Sequence, residues 1–242
     1  MKRFPAELAD ALSPLGRRIL AGRAYAGVLS DPAKRFCAVG DVLDKRFAQD
    51  AIKFLDETLY ASLTPLEAAI PPETIYLQKK NYEEALPKTM RQRTAYLERK
   101  RGRSSQIAEE IGLVGMLRSE SFVTFCRQLA GAPLRKKHGI QVLCYGTGDY
   151  AGPHTDHHPE EAAARDGYID VHLSLTNSAV AHQWLVYARR GHLSEVVSAA
   201  MPRGLTGYRL PFWHYTTPLA AKRGRELEAR RWLLLGTYLY ER

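Results

Sequence analysis

The sequence predicts an α+β chain. Residues 1–133 read as mostly helical, and residues 134–242 read as many short strands closing into a sandwich or barrel. Two observations carry this. Apolar residues recur at helical spacing through the first part, and strict apolar–polar alternation with frequent turn signals begins near Gly139.

The elements follow in order. "DKRFAQDAIKFLDETLYASL" sets Phe47, Ile52, Phe54, Leu55 and Leu59 on one broad stripe, so it reads as a helix. "TPLEAAIPPETIYLQ" holds three prolines and reads as a loop with at most one helical turn. "NYEEALPKTMRQRTAYLERKRGR" reads as a helix with Pro87 near its start or at a kink. "SSQIAEEIGLVGMLRSESFVTFCRQLAGAP" reads as two helices, capped by Ser104 or Ser105 and stopped at Gly131 and Pro133.

Beyond Gly139, "GIQVLCYG" is a short β-rich run. "YIDVHLSLTN" alternates, with Ile169, Val171, Leu173 and Leu175 on one face and Tyr168, Asp170, His172, Ser174 and Thr176 on the other. "HQWLVYARRGHLSEVVS" reads as two strands around a turn near Arg190 and Gly191. "LTGYRLPFWHYTT" and "RRWLLLGTYLY" are further strands, rich in aromatic and branched residues. Trp184, Trp213 and Trp232 are expected in the core.

Composition narrows the function classes. The 242 residues are 45% hydrophobic, enough for a sizeable core. No run of eighteen apolar residues is present, which argues against a membrane span. The first residues carry no apolar stretch of the secretory kind, and three widely spaced cysteines fit reduced thiols, so a cytoplasmic location is expected. Lys plus Arg number 35 against 26 Asp plus Glu, with basic runs at 98–103, 135–138 and 222–225. These runs lack interleaved aromatics, which argues against a nucleic-acid partner and leaves solvated faces or attraction of an anionic small molecule.

The chemistry concentrates in "CYGTGDYAGPHTDHHPE". His154 and Asp156 stand two residues apart after a glycine-rich turn, so on extended backbone they point the same way and one ion fits between them. Alone, the pair equally fits a turn in which Asp156 accepts local backbone donors. A second histidine from a distant strand completes a facial two-histidine, one-carboxylate set of the kind that suits Fe(II). His214, in "LPFWHYTTP", is the best third ligand. Arg231 opens the last strand on the side of Leu233 and Leu235, where a buried guanidinium needs an anion. His157 and His158 read as a solvated loop, and His138 as part of a basic loop.

"QVLCYGTGDYAGPHTD", "FWHYTTP" and "RRWLLLGTYLY" together resemble the iron(II)- and 2-oxoglutarate-dependent oxygenase superfamily, nearest to its prolyl-hydroxylase-like branch. The resemblance covers about residues 139–242. It implies a double-stranded β-helix, a form of jelly roll, buttressed by the N-terminal helices. It implies that His154, Asp156 and His214 bind Fe(II), that Arg231 holds the distal carboxylate of 2-oxoglutarate, and that Tyr145 hydrogen-bonds this cosubstrate. Arg225 and Arg230 are rivals for the Arg231 role. The implied activity is hydroxylation of an unactivated C–H bond, because the retained Asp156 argues against halogenation.

The expected substrate is a small molecule, anionic or zwitterionic, such as a free amino acid or a natural-product intermediate. His172, Tyr150 and Trp213 are its candidate contacts. Hydroxylation of a protein or peptide side chain is the alternative within the same chemistry. A non-catalytic, cupin-like metal- or ligand-binding protein is the alternative from another class.

Overall fold

The computed structural model describes residues 1–31, 36–69, 89–98, 102–135, 138–154, 167–189, 193–210 and 212–241. Side-chain caps start the helices where the sequence offers them. Ser13 Oγ accepts from Gly16 N at 3.1 Å to open α1 (Pro14–Leu20). Asp44 Oδ1 accepts from Phe47 N at 2.9 Å to open α2 (Lys45–Thr58). Three helices, not two, follow: α3 (Arg103–Glu110), α4 (Leu113–Leu117) and α5 (Glu120–Ala130). Gly112, at φ 81°, turns the chain between α3 and α4, a conformation that costs glycine nothing.

The caps of that region differ from expectation. Gly102 is the N-cap of α3, while the Ser104 and Ser105 hydroxyls donate to the carbonyls of Ser62 and Tyr96. Ser119 caps α5 through Phe122 N, and Gly131 ends it in the left-handed region, as expected.

The strands are β1 (Phe36–Val39), β2 (Thr64–Ala69), β3 (Thr89–Tyr96), β4 (Gly139–Tyr145), β5 (Tyr150–Ala151), β6 (Tyr168–Thr176) and β7 (Val180–His182). They continue with β8 (Trp184–Arg189), β9 (Leu193–Ser198), β10 (Gly204–Arg209), β11 (His214–Thr216), β12 (Ala220–Ala221) and β13 (Arg231–Leu239). The main sheet is antiparallel in the order β1-β10-β6-β13-β4-β3-β2, with β5 joined to β3. A second sheet runs β11-β8-β9, and β12 pairs with β7. The result is a curled, jelly-roll-like α+β fold.

Two stretches of the N-terminal region are corrected. Residues 64–69, expected as loop, form β2, and residues 89–96, expected as helix, form β3. With β1, the first 133 residues therefore supply three strands of the main sheet. Pairing with β4 overrides the helical preference of a Lys-, Arg- and Glu-rich segment. Pro87 lies outside the described residues.

The alternation read in "YIDVHLSLTN" decides what each face of the sheet does. Ile169, Val171, Leu173 and Leu175 pack with Val142, Trp232 and Leu234 against Leu55, Phe122 and Leu129 of the helices. Full burial of each such side chain stabilises the fold by roughly 1.5–3 kcal/mol. Helices therefore cover the outer face. The inner face carries Leu143, Leu233 and Leu235 beside a separate aromatic group of Tyr168, Tyr208 and Phe212. Trp232 is fully buried as expected, whereas Trp184 is 41% exposed and stacks on His182. No helix among the described residues is long and apolar enough to cross a membrane.

Candidate active site

The glycine-rich turn before His154 is built by its own acid. Asp149 Oδ2 accepts from Gly146 N at 2.8 Å, and Gly148 takes φ 80°. Burial raises the Asp149 pKa, opposed by that backbone donor and by Arg91, whose Nε lies 3.3 Å from Oδ1. The chain then pairs briefly with β3 through Tyr150 and Ala151 and reaches His154.

His154 and His214 form an isolated antiparallel bridge. Each backbone N–H donates to the other's carbonyl at 3.0 Å. The imidazole centres stand 4.4 Å apart with planes at 49°, and the residues are 6% and 5% exposed. In both rings Nδ1 meets a carbonyl two residues upstream, Gly152 O at 2.5 Å and Phe212 O at 2.8 Å. A carbonyl only accepts, so each Nδ1 carries a proton, which in the neutral ring leaves the lone pair on Nε2. Metal-binding imidazoles are oriented in this way. Two rings sharing one ion at about 2.1 Å and near a right angle have centres about 4.5 Å apart. The pair fits an ion on both tests.

Asp156, His157 and His158 lie outside the described residues. Among the described residues, no three His, Cys, Asp or Glu side chains gather closely enough to hold a metal. Two of the three expected ligands are thus brought together.

Arg231 is 2% exposed and starts β13 opposite Tyr145 of β4 and Thr176 of β6. Its guanidinium lies 5.3 Å from the Tyr145 ring centre. Nη1 donates to Gln183 Oε1 at 2.9 Å, while Nε meets no acceptor. Among the described residues no carboxylate pairs with it. Burial pushes its pKa down, as expected for a cation stripped of water. The rivals are differently placed. Arg225 pairs with Glu228 at the surface, and Arg230 lies over the Tyr60 ring.

Gln183 escaped the sequence reading. Its carboxamide nitrogen donates to Thr217 O at 3.0 Å and Asp149 O at 3.2 Å, which aims its oxygen at Arg231. Only its position before the strand Trp184–Arg189 marks it in sequence, because a lone glutamine carries no motif.

One cavity of about 140 Å³ joins these groups. His154, His214, Arg231, Tyr145 and His172 line it, as do Asp170, from the same polar strand face as His172, and the unforeseen Gln92 and Tyr208. Tyr150 and Trp213 are not among its described lining residues. The Tyr150 hydroxyl is paired with Thr89 Oγ1 at 2.7 Å, and the Trp213 ring packs edge-on to Tyr215. His138 is not in a free basic loop; it stacks on Tyr238 with centres 4.2 Å apart.

No protein-family profile matches the chain, and no curated protein matches it in sequence. Solved structures do match in shape. A 2OG-Fe(II) oxygenase family oxidoreductase from Burkholderia pseudomallei aligns at TM-score 0.55 and 16% identity, covering 90% of each chain. The chain shares the fold of these enzymes. The non-heme alpha ketoglutarate dependent epimerase SnoN of nogalamycin biosynthesis aligns at TM-score 0.54 and 12% identity, over 93% of this chain and 83% of that one. A prolyl hydroxylase from Trichoplax adhaerens, solved with a hypoxia inducible factor peptide, aligns at TM-score 0.51 and 15% identity, over 93% and 89%. The fold resemblance drawn from "HTD", "FWHYTTP" and "RRWLLLGTYLY" therefore stands.

Proposed function

We propose that the chain is an Fe(II)- and 2-oxoglutarate-dependent oxygenase on a double-stranded β-helix, hydroxylating an unactivated C–H bond of a small molecule. The observation that carries this is the meeting, in one cavity, of an oriented imidazole pair with a buried guanidinium that has no carboxylate partner among the described residues. The similar fold of 2-oxoglutarate-dependent enzymes supports the same reading.

In this reading His154 and His214 hold the iron through Nε2, with Asp156 as the third ligand. Iron with its cosubstrate supplies the oxidising chemistry. Arg231 holds the distal carboxylate of 2-oxoglutarate, since a guanidinium matches a carboxylate in two parallel hydrogen bonds. Gln183 fixes that guanidinium from behind, and Tyr145 walls its side. Leu185, Leu233 and Leu235 line the same cavity and exclude water, which strengthens every charge interaction inside it.

The test is spectroscopic. Anaerobic addition of Fe(II) and 2-oxoglutarate is expected to give a weak visible charge-transfer band. His214→Ala abolishes it, and Arg231→Ala weakens cosubstrate binding while sparing the metal. Metal binding at full stoichiometry with no response to 2-oxoglutarate would instead mark a non-catalytic metal protein.

A further inference from the structure

Asp170 is unexplained by the reading above. It faces the cavity from β6 and is 9% exposed, and its Oδ1 is wholly occluded with no donor among the described residues. Its neighbour on the same face, His172, does not satisfy it. His172 Nε2 stands 3.9 Å from Asp170 Oδ2, too far for a hydrogen bond, and is itself occluded and unpartnered. A buried carboxylate left unsatisfied is costly, and such groups are retained where something else completes them.

Its place in the cavity says what that is. Tyr208 sits opposite Asp170 in the β10–β6 pairing. The Tyr208 ring lies 4.9 Å from that of His214 and 5.0 Å from that of His172. The imidazole pair therefore stands next to the Asp170 end. Arg231 belongs to the other end, opposite Thr176, and Thr176 lies six residue rises along the strand from Asp170, about 20 Å. Arg231 and Asp170 thus stand at opposite ends of the face that β6 and β13 share, positive at one end and negative at the other, with the imidazole pair near the negative end. An anionic cosubstrate matches the Arg231 end alone. The Asp170 end presents a carboxylate beside aromatic rings, a surrounding that accepts a cation.

We infer that Asp170, assisted by His172 and Tyr208, forms a substrate subsite for a cationic nitrogen, an ammonium or guanidinium group on a small molecule. The inference rests on the oxygenase reading for its word substrate, but not for the binding itself. It sharpens the expected anionic or zwitterionic substrate to one that carries a positive charge at the end held by Asp170.

The test titrates butylguanidinium, butylammonium and uncharged butanol into the full chain without metal, followed by ligand-observed NMR. Both cations are expected to bind and butanol to bind at least tenfold more weakly. Asp170→Asn, which keeps the shape, is expected to erase the preference by tenfold or more, with the thermal melt reporting that it folds. Equal binding of cation and alcohol, or a preference that survives in Asp170→Asn, overturns the subsite and leaves the oxygenase reading untouched. A cation preference without the Fe(II)–2-oxoglutarate band overturns the oxygenase reading and, with it, the cation's role as substrate. An arginine-containing decapeptide serves as the last arm. Asp170-dependent binding of the peptide but not of the free cations would overturn the small-molecule assignment.

Discussion

His154 and His214 hold each other by the main chain: two hydrogen bonds of 3.0 Å join them, and their ring centres stand 4.4 Å apart. The spacing of the pair is set by backbone and by two carbonyls at Nδ1, so the proposed iron site would be arranged before any ion arrived. A bound ion should therefore stabilise the fold by mass action, about 2.7 kcal/mol at a hundredfold excess over Kd. Thermal melts with Mn(II) or Co(II) are expected to rise for the wild type and stay flat for His154→Ala and His214→Ala. An equal rise in the variants would place the ion elsewhere.

Arg231 costs the fold something. Replacing a buried, incompletely paired charge with an apolar group of similar size is often neutral or stabilising by about 1–4 kcal/mol. Arg231→Met is therefore expected to melt at or above the wild-type temperature while losing 2-oxoglutarate binding. Calorimetric titration beside a thermal melt reads both. A variant that melts several degrees lower would mean that the guanidinium already has its counter-charge within the protein.

Gln183 offers a gentler test of the same charge. Gln183→Glu places an anion 2.9 Å from the guanidinium, where the amide oxygen now stands. The new pair should compete with the cosubstrate carboxylate and weaken its binding by roughly ten- to a hundredfold, the range of a charge-assisted hydrogen bond. Metal affinity should stay unchanged. A cosubstrate affinity that does not move would remove Gln183 from the anion site.

Asp56 predicts a pH effect away from the cavity. Its Oδ1 accepts the Trp232 indole N–H at 2.9 Å, and burial, the largest cause, raises its pKa despite that bond. A raised carboxylate favours the fold fully below the ordinary carboxylate range near pH 4, and this benefit fades as pH climbs through the raised folded value. Asp56→Asn keeps the acceptor and removes the titration. Chemical denaturation at pH 4 and pH 7 should show the variant gaining on the wild type as pH rises. The opposite trend would mean that the ionised carboxylate is the stabilising form.

How much of this the sequence revealed depends on whether one strand face was apolar. The inner and outer faces of β6 were legible because Ile169, Val171, Leu173 and Leu175 alternate with polar residues. His154, His214 and Arg231 were legible as candidates because they stood at strand-like positions in the order of the motifs that carry the resemblance. β3 was not legible. It buries Gln92 and Thr94 rather than aliphatic residues, so no two-residue apolar rhythm exists, and its charged residues mimic a solvated helix. Asp170 stood in plain view on the polar face of β6. Nothing in the sequence said that its carboxylate would be buried without a donor.

The order of the main sheet carries a consequence for biosynthesis. β13, which holds Arg231, is the latest strand of the sheet in chain order, yet it lies between β4 and β6, while β1 and β2 occupy the rims. A chain emerging from the ribosome presents both rims early and has to wait for its middle. Until then β4 and β6 have an unfilled slot between them, open to chaperones or to a stray strand. The tunnel releases the buried guanidinium of Arg231 and the piece that closes the sheet together, so a nascent chain gains its shape and its proposed anion site in one event.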